Sequence, residues 1–414
     1  MAVWEFNKGE WTEAYVFLRL LGDGRIYGAS ANLTKDERTY IDIINIIRDE
    51  PNSYIRFERF IEDELDKIKA MDEDDITFKI ITAPELNEKA DFLYREIMSS
   101  SAGSRKIKVP QIQAYLEELR ISCPKANLSD GAKEKYGAKA DIIITSQNSL
   151  DNSKTTEGFS VKSHLGSNPT LLNCSQTSGF VYRIPRCDIE GMHRLNALDS
   201  FKSIISAIKG AYSLEYIGCR NDIFEQNICT VDSRMDEILH HTLLLFYGYY
   251  GTVISSGMNS VCKALAELNP IKIKNPNIFY QTKIKDLLFA SFAGLTVSTP
   301  WSGRKKLTGG YIDVGKNGDL LYYRAISDDI FANYLFQNTK FEVPDRGVGK
   351  ALALKRAKVF LAENRNLTHQ EENAIIYKNG VDGTKNSKKG DFGYVYQDGN
   401  DFFFVLNFQI RFRS

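Results

Sequence analysis

This 414-residue sequence carries no net charge, because 53 basic residues balance 53 acidic ones. That balance argues against a protein that coats nucleic acid through bulk charge, so contact with nucleic acid would depend on local clusters. The sequence also lacks an apolar run long enough to cross a bilayer, and its polar start, MAVWEFNKGEWTE, does not resemble a secretory signal. We therefore expect a cytoplasmic protein without a membrane partner.

Metal and redox motifs built on cysteine are missing as well. The six cysteines, at positions 123, 174, 187, 219, 229 and 262, include no C-x-x-C pair, so neither a zinc knuckle nor a dithiol redox site is expected. No glycine-rich loop ending in Gly-Lys-Ser or Gly-Lys-Thr is present, so ATP-driven chemistry is not supported.

The pattern of apolar residues predicts both helices and strands. Spacings of three and four residues predict helices over residues 4–21, 40–50, 54–75, 84–98, 109–122 and much of 194–268. Runs rich in β-branched residues predict strands over residues 140–147 and 158–163 and within 170–184, and hairpins that turn at 316–318 and 398–400. These elements predict an α/β (α+β) fold with a mixed central sheet flanked by helices, and with additional helical and C-terminal β regions.

Asp141, Ser160 and Lys162 stand where two predicted strands can bring them together. Asp141 opens the first strand, and Lys162 lies late in the second, two residues after Ser160. Alternate residues of a strand share a face, so Ser160 and Lys162 point the same way and can face Asp141 across a hairpin. A carboxylate can hold a metal ion that activates water for phosphodiester hydrolysis, and a nearby lysine can orient that water or neutralise charge. Taken alone the arrangement is a weak indication, since such residues are common in strands.

The first predicted helix adds acidic candidates. Glu10 and Glu13 lie on neighbouring positions of one helical face, and Gly9 lies one turn before Glu13, where a small residue allows the helix to approach the sheet closely. A glutamate that projects inward from an apolar helix is a candidate metal ligand. A capping or surface role is the more common one for any single glutamate.

The chain resembles the PD-(D/E)xK nuclease fold in the order of three motifs. These are Gly-x-x-x-Glu on a first helix, Asp at a strand, and then an acid, any residue and Lys on the next strand. More narrowly, the chain resembles the HpaII-type restriction endonucleases. The matching segments are KGEWTEAYVFLRLLGDGRIY, KADIIIT, GFSVKSHLGSNPTLLN, GGYIDVGKNGDLLYY, YLFQNTKFEVP and LNFQIRF. They follow one another in the expected order over nearly the whole chain, which makes the set far more specific than any one segment.

The resemblance implies a type II restriction endonuclease that cuts double-stranded DNA with Mg²⁺ at a short palindromic site, with CCGG as the leading candidate. A palindromic target favours a homodimer, and a bacterial host would need a DNA methyltransferase for the same site. Residues 1–104 would form a helical region that gives its first helix to the core. Residues 105–295 would form the catalytic core with a helical insertion, and residues 296–414 a mixed region for DNA recognition.

One departure from the family pattern concerns the metal. Ser160 occupies the position that is usually Asp or Glu, and a hydroxyl is a poor Mg²⁺ ligand, so a second acid must come from elsewhere. We rank Glu13 first, Glu157 second and Glu10 third. The resemblance implies that the serine is tolerated, so Asp141, Ser160, Lys162 and Glu13 remain the candidate catalytic residues, with Asp141 and Glu13 as metal ligands.

Candidate DNA contacts come from basic and amide side chains, because phosphate contacts give affinity and base-edge contacts give sequence preference. The loop SGRKKLTGG offers Arg304, Lys305 and Lys306, and the segment QNTK offers Asn338 and Lys340. His164 lies two residues after Lys162 and is therefore a candidate for contact with a phosphate near the site. A solvated loop and a fixed turn are the alternative interpretations of the two segments.

Two other functions stay open from sequence. Ser160 is compatible with a non-catalytic, sequence-specific DNA-binding protein that kept the nuclease fold. A structure-selective repair nuclease would share the acid and lysine pattern, although the late GGYI, NTKF and QIRF segments count against it.

Overall fold

The structure, a computed structural model, describes residues 3–29, 34–51, 53–100, 106–126, 128–137, 139–148, 152–173, 178–198, 200–251, 254–303, 309–324, 328–343 and 393–413. Its helices are α1 (Lys8–Asp23), α2 (Ala83–Ser99), α3 (Pro110–Glu118), α4 (Asp130–Tyr136), α5 (Ile189–Asn196), α6 (Phe201–Ala211), α7 (Asp222–Val231), α8 (Met235–Phe246), α9 (Met258–Leu268), α10 (Pro276–Phe292) and α11 (Asp328–Asn338). Its strands are β1 (Arg25–Ala29), β2 (Lys35–Glu50), β3 (Ser53–Glu62), β4 (Leu65–Met71), β5 (Thr77–Thr82), β6 (Ile142–Asn148), β7 (Lys154–Ser163), β8 (Thr170–Leu172), β9 (Phe180–Arg183), β10 (Glu215–Cys219), β11 (Gly310–Val314), β12 (Leu320–Arg324), β13 (Thr339–Glu342), β14 (Val395–Asp398), β15 (Asp401–Leu406) and β16 (Gln409–Phe412).

In the described ranges, a nine-stranded mixed sheet organises these elements, in the order β1-β12-β11-β7-β6-β2-β3-β4-β5. Strand β7 lies near its middle, antiparallel to β6 and parallel to β11. Two smaller sheets have the orders β10-β9-β15-β14 and β13-β16-β8. The predicted α/β class with a mixed central sheet, flanking helices and C-terminal strands is confirmed. Among the helices in the described ranges, none is long and apolar enough to cross a membrane.

Two hydrophobic cores pack against the central sheet. One contains Trp11 of α1 together with Phe159 of β7 and Ile312 of β11. The other contains Tyr311 of β11 together with Leu287 of α10 and the remaining helices of the second half of the chain. Neighbouring residues of a strand point to opposite faces, so the two cores lie on opposite sides of the sheet and β11 contributes to both.

Helix α1 forms as its sequence predicts. Asn7 and Glu10 make a capping box, in which the Asn7 side chain accepts from the Glu10 N–H and the Glu10 carboxylate accepts from the Asn7 N–H. The helix ends at Asp23 and is capped by Gly24, whose φ of 68° lies in the left-handed region that favours glycine. The capping box fixes where the first turn begins, and therefore which way the side chain of Glu13 projects.

The helices predicted over residues 40–50 and 54–75 are wrong, because both segments form strands of the central sheet. In β2, a bulge between Ile43 and Asn45 shifts the alternation by one residue. As a result the buried residues Ile43 and Ile46 are three apart, which imitates a helix. Strands β3 and β4 turn at Asp63 and Glu64, both with positive φ; aspartate is common in such a turn, but glutamate stands where glycine is usual.

The N-terminal region therefore supplies five strands of the sheet, β1 to β5, rather than only a helix. Regions 105–295 and 296–414 supply the other four, β6, β7, β11 and β12. The division of the chain into three regions stays a prediction, but the helical description of residues 1–104 is corrected. The predicted hairpins are present, with β11 paired to β12 and β14 paired to β15.

Candidate active site

The candidate site lies where β6 begins and β7 continues past it. The two strands pair from Gln147 opposite Lys154 to Ile142 opposite Phe159. Beyond this point the N–H of Asp141 still donates to the carbonyl of Phe159 at 2.8 Å. The next N–H on that edge of β7 belongs to Val161. It donates to the Asp141 carboxylate at 2.7 Å rather than to a backbone carbonyl of β6. The side chain of Asp141 therefore takes the place of a backbone partner at the open edge of β7.

Gly158 allows this close approach. A Cβ atom at this position would lie 2.3 Å from the carbonyl oxygen of Tyr136 and 2.7 Å from the Cβ of Ala140. Both contacts are too short for any side chain, so only glycine lets the segment before β6 lie against β7. The glycine thus helps to position Asp141.

Ser160 connects Asp141 with Lys162. Its hydroxyl donates to Oδ2 of Asp141 at 3.0 Å and accepts from Nζ of Lys162 at 2.8 Å. Ser160 and Lys162 share a face of β7, as the alternation of the strand predicts. The serine that replaces the usual acid therefore orients both the aspartate and the lysine.

Glu13 of α1 adds a second carboxylate. Its Oε2 accepts from the N–H of Ala126 at 2.6 Å. Loss of solvation, with repulsion from the Asp141 carboxylate, raises the pKa of Glu13 to about 8. Burial also raises the pKa of Asp141. At neutral pH the pair therefore tends to retain a proton, or it can hold a cation instead.

A buried ion pair on β2 holds the loop that anchors Glu13. The side chains of Arg48 and Glu50, each 7% exposed, lie 3.6 Å apart. Arg48 donates to the carbonyl of Cys123 at 2.6 Å, and Glu50 accepts from the N–H of Ser122 at 3.1 Å. Because Ala126 follows directly in this loop, the ion pair fixes the N–H that binds Glu13.

Lysines surround the two carboxylates. Burial lowers the pKa of Lys162, while Asp141 and Glu13 oppose that shift. Burial and then the like charge of Lys162 lower the pKa of Lys139 to about 7. Nζ of Lys139 donates to the carbonyls of Ser291 and Leu295, the latter at 3.1 Å.

Sequence reasoning missed Lys139, although it lies two residues before Asp141 in the KADIIIT segment. A lysine before a strand carries no signal by itself. Its role depends on carbonyl groups more than 150 residues away in the chain, at the end of α10.

A cleft of about 720 Å³ opens onto this site, lined by Glu13 and Lys162, by the start of α1 and by residues 165–170. Gly9 lines the same cleft. Among the described residues, a Cβ at Gly9 would meet only the Asn7 side chain, at 3.1 Å. The expectation that Gly9 allows the helix to approach the sheet is therefore wrong; instead it leaves the cleft open beside Glu13.

The other two acids have different partners. Glu157 accepts from Arg324 at 2.6 Å and from Thr155 at 3.2 Å, and it lies on the face of β7 opposite Lys162, an odd number of residues away. Glu10 belongs to the capping box and lies 3.6 Å from Lys125. Of the three ranked acids, Glu13 is the one whose carboxylate interacts with Asp141.

The candidate DNA contacts lie in varied settings. His164 is buried, with Nε2 3.1 Å from Oδ1 of Asp313. Asn338 donates to the carbonyl of Tyr334 at 2.9 Å, and Lys340 is 30% exposed. Arg304, Lys305 and Lys306 lie outside the described residues. The DNA-contacting roles of all six residues stay predictions.

The donor set at the cleft fits a magnesium ion. Among the described residues, no hydrogen-bond donor reaches Oδ1 of Asp141 or Oε1 of Glu13, and the two acids repel each other. No cluster of three or more His, Cys, Asp or Glu residues suited to a metal occurs in those ranges. Two carboxylates suffice for Mg²⁺, which prefers oxygen ligands and retains several waters.

Comparison with known proteins supplies the identity. Residues 7–348 match the family model described as HpaII restriction endonuclease. The type II restriction enzyme HpaII of Haemophilus parainfluenzae is 30% identical to the chain over 416 residues, which cover 98% of each protein. No solved structure matches the chain significantly. The protein is a type II restriction endonuclease, that is, a site-specific deoxyribonuclease and a hydrolase. It belongs to the HpaII restriction endonuclease family, which confirms the resemblance to the HpaII-type enzymes.

Proposed function

We propose that the protein hydrolyses phosphodiester bonds of double-stranded DNA in a Mg²⁺-dependent reaction on a core of the PD-(D/E)xK type. The observation that carries this proposal is the convergence of Asp141, Glu13 and Lys162 at the open edge of β7. Asp141 and Glu13 are the proposed metal ligands. When bound, Mg²⁺ would lower the pKa of a water molecule and stabilise the charge that develops on the phosphate.

Lys162 acts beside the phosphate. Its hydrogen bond to Ser160 holds Nζ in the cleft. As an ammonium group it stabilises the negative charge that develops on the phosphate and can orient the attacking water, and burial lowers its pKa while Asp141 and Glu13 oppose that shift. Ser160 is a positioning residue, because its hydroxyl contacts both Asp141 and Lys162.

The proposed target is a short palindromic sequence, with CCGG as the leading candidate from the family resemblance. A two-fold symmetric target favours a homodimer. In the bacterial cytoplasm such an enzyme requires a DNA methyltransferase that protects the same sites. The C-terminal region, including Lys340 and Asn338, is the proposed recognition region.

Digestion of phage and plasmid DNA tests this function. Wild-type protein with Mg²⁺ is expected to give discrete fragments, and EDTA is expected to prevent cleavage. A smear, or a preference for branched substrates, would favour a repair nuclease, and DNA that is shifted but uncut would favour a binding protein. Sequencing of the fragment ends identifies the site and contradicts the CCGG candidate if another sequence is found.

A further inference from the structure

The small sheet β13-β16-β8 carries a row of residues that starts at the active-site cleft. Thr170 of β8 lines that cleft and pairs with Arg411 of β16. Arg411 pairs in turn with Lys340 of β13, and Lys340 forms a bridge with Gly257 just before α9. Neighbouring strands lie about 4.8 Å apart, so the row crosses about 14 Å of the molecule.

Cationic side chains dominate this row. We define the basic strip as Lys340, Arg411 and Arg413. The Lys340 and Arg411 side chains are 30% and 27% exposed, and Arg413 is exposed. Among the described residues, one acid, Glu342, lies beside them, 3.0 Å from Nε of Arg411 and 3.8 Å from Nζ of Lys340. Within the part of the chain that the structure describes, three cations beside one acid give this strip a positive excess, although the whole chain has no net charge.

A polar cleft continues the strip. Its volume is about 520 Å³, and Lys340 and Arg413 form part of its wall. Small polar side chains complete the lining: Ser255, Ser256, Asn259 and Ser260. A Cβ atom on Gly257 would lie 2.7 Å from the Arg413 guanidinium, so the glycine leaves room for that cation. Arginine, lysine, serine and asparagine side chains are typical contacts of DNA phosphates.

We propose that the basic strip binds the phosphate backbone of the substrate duplex beside the cleaved bond. The inference rests on the proposed double-stranded DNA substrate, and two observations carry it: the positive excess and the continuity of the row with the active-site cleft. From Thr170 to Lys340 the row spans two strand spacings, about 10 Å, which is the axial rise of about three base pairs. The strip therefore contacts phosphates a few base pairs from the one that is hydrolysed.

Equilibrium binding in EDTA tests the strip without cleavage. Wild type, Arg411→Gln and Arg413→Gln are titrated against a duplex that contains the target site and one that lacks it, over a range of salt concentrations. The logarithm of the association constant falls linearly with the logarithm of the salt concentration, and loss of one phosphate contact is expected to make this slope less steep by about 0.9. At about 0.1 M salt, this change corresponds to roughly eightfold weaker binding. Both duplexes are expected to lose affinity equally, because phosphates carry no sequence information.

Two further variants control for folding and for net charge. Arg56→Gln is the matched control, since Arg56 is also 27% exposed on a strand and is paired with Glu58 and Asp75; it is expected to keep the wild-type slope. Glu342→Gln removes the acid from the strip and is expected to tighten binding several-fold, a gain that misfolding cannot produce.

The outcomes separate this inference from the proposed function. Three results would overturn the proposed role of the basic strip. The salt slopes of both arginine variants could equal that of wild type, or Arg56→Gln could lose as much affinity as they do. The loss of affinity could also be confined to the duplex that contains the target site. If wild type neither binds nor cuts duplex DNA, the proposed function fails instead.

Discussion

Glu13→Gln tests the carboxylate pair at the centre of the site. In the folded protein the pKa of Glu13 is raised from 4.5 to about 8. Between these two pH values the folded protein holds a proton that the unfolded chain has released, so the free energy of unfolding decreases as the pH rises. Each pKa unit corresponds to about 1.4 kcal/mol, which makes the full shift worth about 5 kcal/mol. Because Glu13 remains partly exposed, solvent screening reduces the expected value to about 2 kcal/mol.

Glutamine preserves the shape of the side chain but cannot ionise. Without divalent metal, Glu13→Gln is therefore expected to be more stable than wild type by about 2 kcal/mol above about pH 8, and to match wild type near pH 4. Addition of Mg²⁺ is expected to reverse this order of stability, so that wild type becomes more stable than Glu13→Gln. Wild type can exchange the proton for the ion and gains stability as Mg²⁺ increases, whereas the variant retains only Asp141 as a carboxylate and gains less.

Thermal unfolding measured from pH 4 to 9, in EDTA and with Mg²⁺, provides the assay. Glu10→Gln is the matched control, because Glu10 lies on the same helix but acts in the capping box. Loss of this capping contact is expected to cost about 1 kcal/mol. The reasoning is refuted if wild type and Glu13→Gln show parallel pH profiles in EDTA, or if the variant responds to Mg²⁺ as wild type does.

Three further predictions concern the same site. Asp141→Ala is expected to abolish cleavage while DNA binding in EDTA stays near wild type, since it removes a proposed metal ligand. Substantial cleavage by the purified variant would contradict the assignment of Asp141 as a metal ligand. Lys162→Ala is expected to lose cleavage and Lys162→Arg to restore little of it, because a guanidinium is broader and more basic than an ammonium group; near-normal single-turnover rates in either variant contradict this. Arg48→Lys keeps the charge beside Glu50 but cannot bond the loop carbonyls as a guanidinium does. It is expected to raise the Mg²⁺ concentration for half-maximal cleavage several-fold with a smaller effect at saturating Mg²⁺, and a Mg²⁺ titration that overlays wild type would exclude this role.

The sequence made the local parts of the site predictable. Helix α1 has a capping box, apolar spacing and a terminal glycine within one short segment, and β6 and β7 are rich in β-branched residues. The relation of Ser160 to Lys162 follows from strand alternation alone. These features depend on neighbouring residues, and the sequence displays them directly.

Features that depend on distant residues could not be predicted in this way. The bulge in β2 hid its alternation, and the turn at Asp63 and Glu64 lacked the glycine that usually indicates one. The hydrogen bond from Ala126 to Glu13 joins residues 113 positions apart, and the bonds of Lys139 to the end of α10 join residues even farther apart. Such contacts arise from tertiary packing, which no local pattern records.

The division of β11 between two cores has a consequence for the accuracy of the site. Tyr311 packs among the helices of the second half of the chain, and Ile312 packs on the side of α1. Slippage of β11 by a single position along β7 would turn the phenol toward α1 and the isoleucine away from it, at a cost on both faces at once. Packing on both sides of the sheet therefore fixes the register that sets Tyr311 opposite Ser160. Residues that take no part in chemistry thereby keep the cleavage machinery in register.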